Sequence, residues 1–235
     1  MSYSDIVSDG GMDPRPYGKS MCTIAIFSNH PECSDDCIKG MRQALGGSYI
    51  IKTFAVDECN TKIFDGVDVI AFPGGIGDAS SYDKFFRRKT QNTVADFVAN
   101  GGRYLGICMG AYWAGSHYFD ILDRLDAVQY IKQPHADVRR SYGTVADVLW
   151  EGQPENMFFY DGCAIVGDLS RCEVVATYAN GDAAAIIQGR VGIIGPHPES
   201  QEYWFEEPLQ YINQYWHGGS HHKLLLNFVD KLISS

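Results

Sequence analysis

Apolar and polar positions follow two different rhythms along this chain, and the change falls near Ala127. Up to that point, short apolar runs alternate with segments of helical period. Cys22–Phe27, Tyr49–Ala55 and Val67–Phe72 read as strands. Between them, Asp35 to Leu45 reads as a helix stopped by Gly46-Gly47. Thr90–Asn100 carries Val94, Phe97 and Val98 at helical spacing and ends at Gly101-Gly102. Arg103-Tyr104-Leu105 then opens another strand. Such βα alternation predicts a parallel, doubly wound α/β sheet with helices on both faces, with ligands at the strands' carboxyl ends. Beyond Ala127 the runs are short and β-rich, and Asp161-Gly162 and Asn180-Gly181 are hairpin signals, so β-hairpins are added in the C-terminal half. Val191–Ile194 reads as one more buried strand, and Lys223–Ile233 as an amphipathic closing helix. Residues 1–20 are polar and rich in Gly, Pro and Ser, which predicts a flexible arm before a single domain over 21–235.

Composition narrows the function. A chain of 235 residues with 45% hydrophobic positions can bury a full core. Its net charge of −10 and lack of a basic stripe argue against nucleic acid or a membrane surface as partner. No apolar run reaches the length of a membrane span, and the first residues lack a signal-peptide pattern. Seven cysteines without a secretion signal predict free thiols in the reducing cytoplasm. Cys33 and Cys37 would share a helical face, but zinc needs two more ligands, so neither a metal site nor another cofactor is expected. His217, His221 and His222 surround a Gly-Gly-Ser turn and read as a solvated loop.

The chemistry concentrates in three short segments. Gly106-Ile107-Cys108-Met109-Gly110 follows an apolar strand and precedes small and aromatic residues, so Cys108 sits on a strand–turn–helix elbow. A nucleophile on such a turn needs small neighbours on both sides, and both are glycine. Random placement of 7 Cys and 25 Gly would yield about 0.08 G-x-C-x-G matches, so the pattern carries information. A thiol needs a base to become a thiolate, and His197 in Pro196-His197-Pro198-Glu199 is a candidate. In an extended segment positions i and i+2 project to one side, which lets Glu199 orient the imidazole. Pro73-Gly74-Gly75 ends the third strand. The Gly75 N–H and the Met109 N–H, next after the nucleophile, are candidate oxyanion donors.

Phe72-Pro73-Gly74-Gly75, Gly106-Ile107-Cys108-Met109-Gly110-Ala111-Tyr112 and Gly195-Pro196-His197-Pro198-Glu199 resemble the class I glutamine amidotransferase-like superfamily. Within it they are similar to the domain found at the N-terminus of fungal biotin–protein ligases and as stand-alone proteins. The likeness runs from about Cys22 to Glu199. It implies a flavodoxin-like sheet, with Cys108, His197 and Glu199 at the family's triad positions, and places Tyr82 at an aromatic position after the Pro-Gly-Gly loop. Tyr112 stands where working glutaminases carry a glutamine that holds the substrate, which implies that free glutamine is a poor substrate. Phe159-Tyr160-Asp161-Gly162-Cys163 varies a segment that usually holds Asn-Gly-Gly. The chain has no Gly-Arg-Gly-Arg-type biotinyl-adenylate loop, so biotin transfer is not implied.

Two classes of function fit these residues. One is a cysteine-dependent amidohydrolase or amidotransferase acting on a small-molecule or peptide amide, or an ester, through a thioester on Cys108. The other is a non-catalytic ligand-binding or regulatory module of the same fold. The complete Cys/His/Glu set favours the first, and the Tyr112 substitution favours the second or a changed substrate. The oligomeric state is not legible in the sequence.

Overall fold

The computed structural model describes residues 21–29, 33–60, 62–75, 86–206 and 208–235. The expected arm, 1–20, and Tyr82 lie outside the described residues. Five parallel strands form one half of the sheet: β1 (Thr23–Phe27), β2 (Ile50–Phe54), β3 (Val69–Phe72), β4 (Arg103–Ile107) and β11 (Val191–Ile194). Their order, β2-β1-β3-β4-β11, is the flavodoxin-like 2-1-3-4-5 arrangement. β1 and β3 are buried throughout, as strands covered on both faces must be.

Each face has its own cover. Pairing places Ile70 beside Tyr104 and Phe72 beside Gly106, so Phe72 and Tyr104 share a face, and their rings stack at 5.3 Å. On this face sit α2 (Arg88–Ala99) and α3 (Met109–Trp113), with Trp113 edge-on to Phe72 and Phe97 against Phe64. Gly192, paired with Leu105, faces the other way and meets Phe228 and Leu232 of α4 (Ser220–Ser234). α4 packs on α1 (Asp35–Leu45). α1 starts where sequence predicts, because the Ser34 hydroxyl accepts the Asp36 N–H and Asp35 and Asp36 face the helix's positive end. Cys33 therefore precedes the helix, and its thiol lies against the Asn29 and Phe27 carbonyls.

The second half is antiparallel. β10 (Ala183–Gln188) joins β11 and is followed by β9 (Glu173–Tyr178), β6 (Thr144–Trp150) and β7 (Gln153–Phe159). β5 (Leu125–Gln129) pairs with β8 (Cys163–Gly167), which also touches β10. Asn180-Gly181 does form a hairpin, joining β9 to β10. Asp161-Gly162 does not: it connects β7 to β8, whose partners are β6 for the one and β5 and β10 for the other. A tight hairpin instead forms at Glu151-Gly152, where both residues have positive φ (48° and 79°), the conformation of a two-residue type I′ turn.

The C-terminal histidines also depart from expectation. α4 begins at Ser220, so His221 and His222 lie in its first turn rather than in a solvated loop. His221 is buried, with Nε2 3.1 Å from a Glu155 carboxylate oxygen on β7. Burial drives its pKa below the usual histidine value against the pull of Glu155. No helix among the described residues is long and apolar enough to cross a membrane.

Candidate active site

The site lies at the carboxyl ends of β3, β4 and β11. As β4 ends, the chain turns through Cys108 with φ 50° and ψ −105°, a conformation that L residues avoid. The Cys108 N–H donates to the Ile194 carbonyl at 2.8 Å, fixing the elbow to the end of β11. The flanking glycines are there for space. A Cβ on Gly106 would overlap the Gly110 carbonyl oxygen, and one on Gly110 would overlap that of Phe72. α3 thus runs almost in contact with the end of β3, and the Tyr104 hydroxyl donates to the Gly110 carbonyl at 2.6 Å.

His197 and Glu199 follow β11. The His197 Nδ1 lies 2.9 Å from Glu199 Oε1, as donor to the carboxylate, and both side chains are buried, Glu199 completely. Prolines 196 and 198 bracket the histidine, and its N–H donates to the Phe158 carbonyl at 2.8 Å. Its ring meets Phe158 and Trp204 edge-on, with centroids 6.0 and 5.6 Å away. Behind the pair, α1 passes so close that a Cβ on Gly40 would overlap the Glu199 carbonyl oxygen. The loop is held from α4 as well, where His222 Nε2 donates to the Ser200 carbonyl at 2.8 Å.

Burial alone would push the His197 pKa down. The Glu199 carboxylate and the adjoining Cys108 and Cys37 thiols more than reverse this, holding it well above the usual histidine value. The site thus favours an imidazolium. Cys37, in the first turn of α1, is the component that sequence reasoning missed. Its thiol, His197 and Glu199 present donor atoms within 4.8 Å of one another. Those atoms could surround a soft cation, but Nδ1 is already engaged by Glu199 Oε1. Burial pushes the Cys37 thiol up to about 11 despite the neighbouring imidazole. One signal pointed to Cys37: helices that follow parallel strands begin at the sheet's carboxyl edge.

A cavity of about 370 Å³ opens over these groups, with Cys108, His197, Cys37 and Gly75 at its floor. Gly74 sits just behind, so tightly that a Cβ there would lie 2.6 Å from His197 Cε1 and 2.9 Å from Cys37 Sγ. Met109 is buried, and as the first residue of α3 its N–H has no intrahelical acceptor. Tyr112 does not line the cavity. Its hydroxyl donates to the Asp161 carbonyl at 3.1 Å, and burial raises its pKa far above the usual tyrosine value. The same turn meets Cys108, whose thiol lies 3.5 Å from the Tyr160 carbonyl oxygen.

Residues 27–127 match the biotin-protein ligase N-terminal family. The biotin-protein ligase N-terminal match runs from the end of β1 through β2, β3 and β4, takes in the Pro-Gly-Gly loop and the Cys108 elbow, and stops before His197 and Glu199. No curated protein matches the chain. Solved structures extend the likeness over most of its length. A glutamine amidotransferase from Thermotoga maritima is 11% identical, with TM-score 0.64, over 92% of this chain and 100% of that one. PurLQS, also from Thermotoga maritima, is 16% identical with TM-score 0.62, over 89% and 100%. Another glutamine amidotransferase is 16% identical with TM-score 0.61, over 90% and 99%. The chain therefore has a glutamine amidotransferase-type fold, and its residues 27–127 are similar to the biotin-protein ligase N-terminal family.

Proposed function

We propose that this chain is a cysteine-dependent amidohydrolase or amidotransferase that transfers an acyl group from an amide or ester through a thioester on Cys108. The observation that carries this reading is one imidazole, His197, set between a fully buried carboxylate and a thiol on a strained elbow, with imidazole and thiol at the floor of a cavity. In the proposed sequence the Cys108 proton rests on His197, as the imidazolium the site favours, when sulfur attacks the carbonyl carbon. The Gly75 and Met109 N–H groups hold the oxyanion, and Gly74 keeps the loop close to the imidazole. His197 then returns the proton to the leaving amine or alcohol as the carbon–nitrogen or carbon–oxygen bond breaks. Water or an acceptor amine, deprotonated by His197, finally cleaves the thioester. Glu199 holds the imidazole in the tautomer this requires.

The second reading, a ligand-binding module that does no chemistry, draws support from Tyr112. Its hydroxyl is committed to a backbone carbonyl, and Cys108 itself is only 5% exposed. Limited alkylation separates the two. Burial pushes Cys22 and Cys59 up to about 12 and Cys37 to about 11, and raises Cys163 and Cys172, so these thiols are poor nucleophiles near neutral pH. Peptide mapping after brief iodoacetamide treatment should find Cys108 labelled at least tenfold faster than Cys37 or Cys59, and p-nitrophenyl acetate should leave an acyl group on Cys108. Equal labelling with no acyl adduct would favour the binding module.

A further inference from the structure

The walls of the cavity differ in character from its floor. Phe158, Tyr160, Trp204, Pro208 and Leu209 form an aromatic and aliphatic surround above Cys108 and His197. This surround has its own support. Phe158, Phe205 and Ile212 make a second, smaller core, and Trp204 and Leu209 pack against it. Phe158 meets Trp204 and Phe205 edge-on at 5.1 and 5.3 Å. The short helical turns Glu202–Phe205 and Gln210–Tyr215, which carry this core, are therefore fixed in place rather than draped over the opening.

The polar groups of the rim are few and mostly spent. The Ser34 hydroxyl accepts the Asp36 N–H, and Asp36 Oδ1 accepts the Tyr203 hydroxyl at 2.7 Å. Asp36 brings a negative charge to the rim, paired at 3.8 Å with Lys39 Nζ outside the lining, and among the described lining residues there is no lysine or arginine. Among the described lining residues the one cationic group is the His197 imidazolium, already paired with Glu199, so a free amino acid or a carboxylate side chain would find no unpaired counter-charge there. A primary carboxamide would lose its hydration against aromatic faces, at a cost of about 1–3 kcal/mol for each unpaired polar group. An apolar side chain, by contrast, gains from every face it covers. The volume falls within the usual range of small-molecule sites, about 300–1,000 Å³.

We propose that the cavity takes an uncharged acyl group with an aromatic or branched aliphatic side chain, such as a capped phenylalanyl or leucyl amide, and excludes glutamine. This substrate class rests on the reading of Cys108 as an acyl acceptor. The bonds change as already described: the acyl carbon leaves its amine for Cys108 sulfur, and His197 gives the amine its proton.

Binding can be measured apart from chemistry. In a Cys108→Ala variant, saturation-transfer NMR titrations would compare N-acetyl-phenylalaninamide with N-acetyl-glutaminamide and with free glutamine. The phenylalanyl amide should bind at least tenfold more tightly than either. Leu209→Asp should remove that preference, and Leu209→Met should keep it. If Leu209→Asp fails to fold, Tyr160→Asp, at a side chain 42% exposed, replaces it with the same expected loss. Equal binding of the two amides, tighter binding of a glutamine form, or no binding at millimolar concentration would overturn the substrate class. Cys108 alkylation in the parent chain is scored separately. If it is slow while the phenylalanyl preference persists, the apolar pocket stands and the acyl-transfer reading falls.

Discussion

His197 is the residue on which the site's electrostatics turn. Buried histidines usually lose their charge, yet here the Glu199 carboxylate and two thiols hold the imidazolium to higher pH than usual. Since the charged form is favoured more in the folded chain than in the unfolded one, its contribution to stability is complete below about pH 6.5. It disappears as pH rises through the higher folded value. Glu199→Gln should therefore lower the pH at which the His197 ring loses its proton, read from its NMR ring signals, and slow Cys108 acylation about a hundredfold. A serine-protease triad, the general example, loses about ten-thousandfold on the equivalent change, and a thiol depends less on its base. An unmoved titration in a folded variant would make Glu199 a bystander. Cys108, His197 and Glu199 are legible in the sequence because each sits in a short motif whose spacing has a local geometric meaning. Cys37 and Leu209 are not, since what brings them to the cavity is helix placement and a second core formed by residues far apart in the chain.

At the scale of elements, the elbow depends on one helix, α3, coming nearer to two strands, β3 and β4, than side chains normally permit. Gly110→Ala would drive a methyl group into the end of β3 and should destabilise the chain by about 3 kcal/mol, at the upper end of overpacking costs. Gly47→Ala, with open space around it, should change stability by less than about 0.5 kcal/mol. Urea midpoints at constant m-value would measure both, and a tolerant Gly110 would mean that α3 can shift away from β3. The helices and parallel strands are readable from period and caps: α1 spans Asp35–Leu45, as its Ser34 cap and its glycine stop indicate. Pairing in the antiparallel half is less so. Asp161-Gly162 has hairpin chemistry, but a turn dipeptide dictates only local backbone direction. β8 pairs with β5 and β10 rather than with β7.

Across the whole molecule, the C-terminal helix reaches back to the site. His222 holds the Ser200 carbonyl in the loop that bears His197 and Glu199, while His221 meets Glu155 on β7. His222→Ala should leave the sheet intact and cost about 1 kcal/mol, the usual net value of one hydrogen bond. Hydrogen exchange of residues 197–201 should speed up at least fivefold, with β1 and β3 unchanged. No change in that loop would show that Pro196 and Pro198 hold it unaided. The histidine cluster reads as a loop in sequence because its Gly-Gly-Ser turn is obvious, whereas the burial of His221 depends on where α4 docks.

β11 is the last strand of the chain and the fifth of the parallel row, with residues 108–190 separating it from its neighbour β4. During synthesis β4 must therefore wait, its outer edge unpaired, while the entire antiparallel half emerges from the ribosome. Pairings so distant in sequence close slowly. A nascent chain that has already made its thiol elbow has neither the imidazole nor the carboxylate that sit beside it in the folded chain. Assembly of the Cys108, His197 and Glu199 cluster is thus timed to the completion of folding, and a chain stalled before residue 191 would carry Cys108 without its imidazole neighbour.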